Sequence, residues 1–357
     1  MLKLPLVHST ATALAPHEYS QDELIAALLE RWSERYYNPG RIEQFQRNVL
    51  VGSRHLALPI EAYEDLKGFG AHNDAWIRVA TDMAESAVTN VLQSAGLTAA
   101  DISIVVSTTV TGIAVPSLEA RLMNRLPFSA ATKRVPLFGL GCLAGCAGVN
   151  RLGDYLKGHP TEAGLMLSVE LCSLTLQRED LSVANIIASG LFGDGCGVVL
   201  MVGDEHPLAA KAPLSWSHPR SVFFPDTERI MGWDMVDSGF KVVLSPEVPS
   251  LVKQELPGAV QGLLAEAELT PDGLDFYVAH PGGPKVLGAM QDALGLTQTD
   301  LQASWDSLAT YGNMSSTSVL FVLHELLKDL PPAGQRGLMA AMGPAFCAEL
   351  NLLESVA

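Results

Sequence analysis

The sequence predicts an α/β protein with buried strands, and three observations carry that prediction. From Asp101 onward, short apolar runs alternate with helix-compatible ones: "ISIVVST", "RVPLFGL", "AGLMLSVE", "CGVVLMVG", "LDFYVAH" and "GLMAAMG". Runs that are apolar throughout, rather than at every second position, fit strands covered on both faces. The 357 residues are 48% hydrophobic, enough for one large domain or two ordinary ones. Finally, the chain carries a weak internal repeat. Aligning Thr109 with His280 pairs "ISIVVSTTVTG" with "LDFYVAHPGG" and "FGLGCLAGCAGVNRLGDYL" with "LATYGNMSSTSVLFVLHELL". Cys142 and Asn313 then stand at equivalent places, each 33 positions on.

The first hundred residues read as largely helical. "SQDELIAALLERWSERYY" (20–37) opens on a serine cap with an acidic first turn. "DAWIRVATDMAESAVTNVLQSAG" (74–96) is a long amphipathic helix that stops on glycine. The opening "MLKLPLVHSTATALAP" has no continuous apolar core of a secretory signal, and no apolar run reaches the ~18 residues of a membrane span. Five cysteines, an odd number in apolar or glycine-rich surroundings, fit a reducing cytoplasm better than a disulfide framework. A net charge of −16 argues against nucleic acid and anionic lipid as partners.

The chemistry concentrates at the tips of the repeat. Cys142 precedes a helix-compatible run, where free N–H groups and the positive dipole end favour a thiolate. His280 follows a buried strand in "VAHPGGP", and an imidazolium there would form an ion pair with that thiolate. Asn313 in "TYGNMSSTS" offers an amide N–H that could join a histidine N–H in holding an oxyanion. Taken singly, each has an ordinary explanation: a core cysteine, a structural histidine, a turn-forming asparagine. Their joint placement at equivalent tips is what favours a site. Cys142 and Cys146 lie four apart, but no second ligand pair has metal-site spacing, so no metal is expected. Cys146, one helical turn further in, reads as packing.

The segments "GLGCLAGCAG", "LSVELCSLT", "SGLFGDGCGVVL", "VAHPGGPKVL", "YGNMSSTSVLFVLHEL" and "AAMGPAFCAEL" occur in the order and spacing of one family. The chain resembles the type III polyketide synthases, the chalcone-synthase-like superfamily. The resemblance implies a thiolase fold, five-layered αβαβα with two pseudo-repeated halves, divided here at 1–215 and 216–357. It implies a homodimer, acyl-CoA and malonyl-CoA as substrates, and no cofactor. Cys142 would carry the acyl chain, and His280 would keep it ionised. His280 and Asn313 would hold the malonyl thioester carbonyl during loss of CO₂.

Further positions carry over from the same motifs. Phe192 matches a gatekeeper, and Val242 falls where plant enzymes have a second one. Cys172 and Thr175 match cavity-lining positions, and Trp233 falls where plant enzymes have glycine. Gly343 and Pro344 remain of a Gly-Phe-Gly-Pro-Gly loop that here reads "AMGPA". Arg47 matches a cation that contacts the CoA phosphates, although neighbouring lysines are not evident, and Gly282 and Gly283 belong with it as CoA-binding positions. Val115 replaces a methionine that reaches into the partner's cavity. The small, soft residues Val242 and Cys172 lean toward a medium- or long-chain fatty acyl starter, as in bacterial alkylpyrone and alkylresorcinol synthases. The alternatives are a ketoacyl-synthase-like enzyme joining preformed or carrier-bound chains, and a non-catalytic acyl-binding subunit.

Overall fold

The computed structural model describes residues 4–356. The chain opens with β1 (Leu6–Leu14), β2 (His17–Ser20), α1 (Gln21–Trp32), α2 (Pro39–Arg47), β3 (Ser53–Leu56) and α3 (Gly68–Ala95). It continues through β4 (Ile102–Thr108), α4 (Leu118–Leu122), β5 (Lys133–Leu137), α5 (Ala144–Gly158), β6 (Ala163–Leu171), α6 (Val183–Leu191) and β7 (Asp194–Val202). Then come β8 (Leu214–Phe223), β9 (Met231–Val236), β10 (Gly239–Leu244), α7 (Val248–Glu266), β11 (Phe276–Ala279) and α8 (Pro284–Leu294). The last elements are α9 (Gln302–Tyr311), α10 (Ser318–Leu326), β12 (Arg336–Gly343) and β13 (Cys347–Ser355).

Nine strands are joined in the order β11-β12-β13-β8-β1-β7-β6-β4-β5. Two wings meet at β1 and β8, which pair only at Leu6–Ser215 and Val7–Leu214. Each wing repeats one plan. In the first, β1, α3, β4, α5, β6 and β7 follow one another; in the second, β8, α7, β11, α10, β12 and β13 do. The parallel pair β4–β6 corresponds to β11–β12, and the antiparallel pair β6–β7 to β12–β13. Edge strand β5 has no counterpart in the second wing, where α9 leads directly to Asn313.

Burial produces the five layers. Trp76, Val79, Ala80 and Met83 of α3 pack on the outer face of the first wing. Val252, Leu256 and Leu263 of α7 with Leu287 of α8 cover the second. Between the wings, α5 and α10 share one core in which Cys146, Val149, Leu152, Val319, Leu320 and Leu323 are fully buried. No helix among the described residues is long and apolar enough to cross a membrane.

The expected strands form where the apolar runs lie, and Ser20 caps α1 through a reciprocal box with Glu23. α3 starts earlier than expected, at Gly68, and ends on Gly96 in the left-handed region. The first hundred residues are largely helical, as expected, but they also hold three strands that the sequence did not reveal. "LVHSTATAL" is β1, a central strand paired with both β7 and β8. Only Val7 and Ala11 on it are buried, and His8, Ser9, Thr10 and Thr12 interrupt its apolar residues, so its apolar signal is faint.

Gly145 sets the approach of α5 to the opposite wing. A Cβ there would lie 2.2 Å from the Ser316 carbonyl oxygen and 2.7 Å from Val319 Cγ1. Neither the backbone oxygen nor the buried valine has room to retreat. Gly145→Ala should therefore lower stability by about 1–3 kcal/mol. Gly158→Ala, at the end of the same helix with open space around it, should leave stability unchanged or raise it. Thermal unfolding of the two variants beside the parent reads the difference.

Candidate active site

Cys142 sits in a tight turn, Gly141–Leu143, that leads into α5. Gly141 has φ +55°, and a Cβ on it would meet Pro344 Cδ at 2.4 Å. The β12–β13 connection thus lies directly against the Cys142 turn. Gly343 permits the same approach, since its Cβ would be 2.7 Å from the Leu140 carbonyl oxygen. Beyond Pro344, Ala345 and Phe346 hold φ of +56° and +26°, a region costly for side-chain-bearing residues. Thr227 Oγ1 donates to the Ala345 carbonyl at 2.9 Å, and Phe346 is fully buried, which together hold the strained loop.

His280 directly follows β11, as Thr109 directly follows β4. Its backbone N–H donates to the Ala340 carbonyl at 2.9 Å, extending the β11–β12 ladder by one bond. Asn313 is buried before the turn that starts α10. Its Nδ2 donates to the Gly282 carbonyl at 3.1 Å, and its Oδ1 accepts from the Ser315 N–H at 2.8 Å. An amide nitrogen has two hydrogens, so one stays available.

Cys142, His280 and Asn313 line one small cavity of about 90 Å³. Phe192, Trp233, Val242, Gly282 and Pro344 line it too, and its floor is the apolar surface of α7 and α8. A second cavity of about 660 Å³ lies across Phe192, Trp233 and Val242, which belong to the walls of both. Cys172 and Thr175 line only this larger space. Gly283, at φ +140°, caps α8 beside Leu191. Arg47 is exposed at the end of α2, where Asp22 and Glu43 bind its guanidinium at 2.8 and 2.9 Å, and it lines neither cavity. Cys146 Sγ donates to the Glu349 carbonyl at 3.3 Å within the central core. The two neighbouring cysteines therefore face different surroundings.

The electrostatics differ from the expected imidazolium–thiolate pair. Cys142 Sγ has Ser315 Oγ as its partner, at 3.6 Å, while neither ring nitrogen of His280 has one. Burial pushes the Cys142 thiol up to about 11 despite the opposing hydrogen bond from Ser315. Burial also brings His280 down to about 4. Removing water penalises each charge separately, and only a charge facing each group would reverse the two shifts. Burial thus favours the neutral imidazole, which keeps one N–H.

The sequence reading assigned no role to Glu170, which is fully buried. Its carboxylate accepts from the Val110 N–H at 3.0 Å, Thr111 Oγ1 at 2.8 Å and Thr109 Oγ1 at 3.2 Å, and also from Ser316 Oγ. It ties the loop after β4 to the turn before α10, one residue from the Cys142 partner Ser315. An acidic residue inside the apolar run "LMLSVEL" was the available signal.

The His280 shift has a consequence for acid stability. Between about pH 6.5 and 4 the unfolded chain binds a proton at this residue and the folded chain does not. Its contribution is fully present above pH 6.5 and is lost as pH falls toward 4. His280→Gln should therefore lose less Tm than the parent over that interval, measured by calorimetry at a series of pH values.

Comparison with known proteins follows the same lines. The family described as "Chalcone and stilbene synthases, C-terminal domain" matches residues 217–357, and "FAE1/Type III polyketide synthase-like protein" matches residues 70–215. A 1,3,6,8-tetrahydroxynaphthalene synthase of Streptomyces peucetius subsp. caesius is 46% identical over 97% of this chain and 92% of its own. A putative chalcone synthase of Bacillus subtilis is 34% identical over 98% of both chains. The crystal structure of the 1,3,6,8-tetrahydroxynaphthalene synthase of Streptomyces coelicolor superposes with a TM-score of 0.93 over 99% of each chain, at 29% identity. Two thiolase-type wings, shared motifs and full-length likeness converge: this chain belongs to the type III polyketide synthases, enzymes that form carbon–carbon bonds by acyl transfer.

Proposed function

We propose that Cys142, His280 and Asn313 are the catalytic residues, and that the starter is a medium- or long-chain fatty acyl group. Cys142 sulfur attacks the starter thioester, its proton passes to His280, and CoA leaves as the thiol. Malonyl-CoA then occupies the small cavity with its thioester carbonyl between the His280 N–H and the free Asn313 Nδ2 hydrogen. The bond to the carboxylate breaks, CO₂ departs, and the electron pair moves onto the carbonyl oxygen held by these two donors. The enolate carbon attacks the Cys142 thioester and the sulfur leaves. The lengthened chain, now on CoA, returns to Cys142, and extension ends in ring closure to a pyrone or resorcinol. The neutrality of buried His280 supports this role, because a neutral imidazole has the N–H that the oxyanion needs.

The observation that carries the starter assignment is the 660 Å³ space beyond Phe192, Trp233 and Val242. Leu24, Ala27, Leu28, Leu56 and Leu176 give it an apolar side, and its size is that of a ligand pocket. A second reading is favoured by the Streptomyces peucetius relative, whose name assigns it a tetrahydroxynaphthalene product: malonyl-CoA would serve as its own starter. The homodimer implied by the family is supported by apolar side chains left open near edge strand β5, where Val115 is 91% exposed and Phe138 57%.

Two experiments test this. With acyl-CoA starters of increasing length and malonyl-CoA, kcat/KM should rise while the tail fills the cavity. The gain should be about 0.8 kcal/mol per methylene, roughly fourfold per carbon, and mass analysis should show alkyl-bearing products. Full turnover of malonyl-CoA alone to a naphthalene product, with acyl-CoAs ignored, would select the second reading. Activity only with acyl groups on a carrier protein would select a carrier-fed condensing enzyme. The nucleophile is tested by acyl labelling: Cys142→Ala should take up no acyl group and Cys146→Ala should label like the parent. An adduct on Cys146 in the first variant overturns the assignment.

A further inference from the structure

Arg54 lies in β3 and is 3% exposed. Among the described residues it forms no ion pair, and its Nε has no hydrogen-bond partner. Burying a guanidinium without a carboxylate is costly, and a thioether or alkyl chain of similar length would fill the volume more cheaply. What the cation does make is specific. Its Nη1 donates to the Ser189 carbonyl at 2.6 Å and to the Phe192 carbonyl at 2.9 Å. These are acceptors at the end of α6, where the negative pole of the helix favours a cation. Asp194 acts on it from a greater distance, and burial brings it down only to about 10, so it stays charged near neutrality.

The segment it holds leads directly to the oxyanion donor. Phe192 forms a parallel bridge with Asn313. The Asn313 N–H donates to the Leu191 carbonyl at 2.9 Å, and the Gly193 N–H donates to the Asn313 carbonyl at 3.0 Å. The aliphatic stem of Arg54 lies beneath both sides of this bridge. A Cβ on Gly312 would be 3.1 Å from Arg54 Cδ, and one on Gly193 would be 3.6 Å from Cγ. Phe192 stands in the wall shared by the two cavities, and Asn313 in the site itself.

We propose that Arg54 is a positioning residue of the condensation: by fixing the Phe192 carbonyl it sets, through the Phe192–Asn313 bridge, the place of the Asn313 amide against the malonyl thioester. This rests on the reading of Asn313 as an oxyanion donor. It predicts a selective defect, because Cys142 and its turn belong to other elements and do not touch Arg54.

The test uses the full chain with two readouts: CO₂ release from malonyl-CoA, and acylation of Cys142, followed by mass, by acetyl-CoA, whose two-carbon acyl group is too short to fill the larger cavity that Arg54 also lines. Arg54→Met removes both donors while filling the space. Its kcat for CO₂ release should fall about 10²-fold, the cost of a misplacement of about 1 Å, with KM and the acylation rate little changed. Arg54→Lys, which keeps the charge and can reach one carbonyl, should recover part of the loss. CO₂ release at the parent rate in Arg54→Met overturns the proposal. So does an equal fall of both rates together with Tm that lysine does not relieve, which would mark a purely structural residue. Asn313→Ala run alongside separates the two readings. If it releases CO₂ like the parent, the role of Asn313 fails and this inference with it. If it is impaired and Arg54→Met is not, only the inference falls.

Discussion

The tight approach of α5 to the turn before α10 carries much of the rest of the structure: a Cβ on Gly145 would lie 2.2 Å from the Ser316 carbonyl oxygen. Cys142 stands at the head of α5, and Asn313 and Ser315 stand at the head of α10. The distance between the two helix starts therefore sets the distance between Cys142 and Asn313. The central layer is dry, with Val149, Leu152, Leu156, Val319, Val322 and Leu323 fully buried. A close-packed interior of this kind resists changes of even one methylene. This contact spaces the two helix starts, while hydrogen bonds orient the Asn313 amide between them.

Much of the wing pattern was legible in the sequence because the strands are covered on both faces. β4, β6, β7 and β12 are buried along nearly their whole length and read as unbroken apolar runs. β1 was not legible, although it is central, because His8, Ser9, Thr10 and Thr12 interrupt its apolar pattern. The tips were legible because the repeat lent each of them a second witness: Cys142 and Asn313 open equivalent helices, and His280 closes the strand equivalent to β4. Arg54 was invisible for the opposite reason: its partners Ser189 and Phe192 lie far along the chain, so no local pattern records them. Glu170 showed only as an acidic residue inside an apolar run, and its distant partner Ser316 left its role unread.

The electrostatic state was not legible either. Residue types suggested an ion pair, but charge depends on distance and on water, which spacing does not encode. The same burial that raises the thiol keeps the imidazole neutral and its N–H intact.

The wall of Phe192, Trp233 and Val242 separates the cavity of Cys142, His280 and Asn313 from the larger space beside it. Two of these side chains come from the β9–β10 hairpin, a two-stranded unit outside the nine-stranded sheet. Cys142 and Asn313 are anchored in the central layer, while most of this partition is carried on an appendage. A change in that hairpin would therefore reshape the partition without disturbing the packing that spaces Cys142 from Asn313.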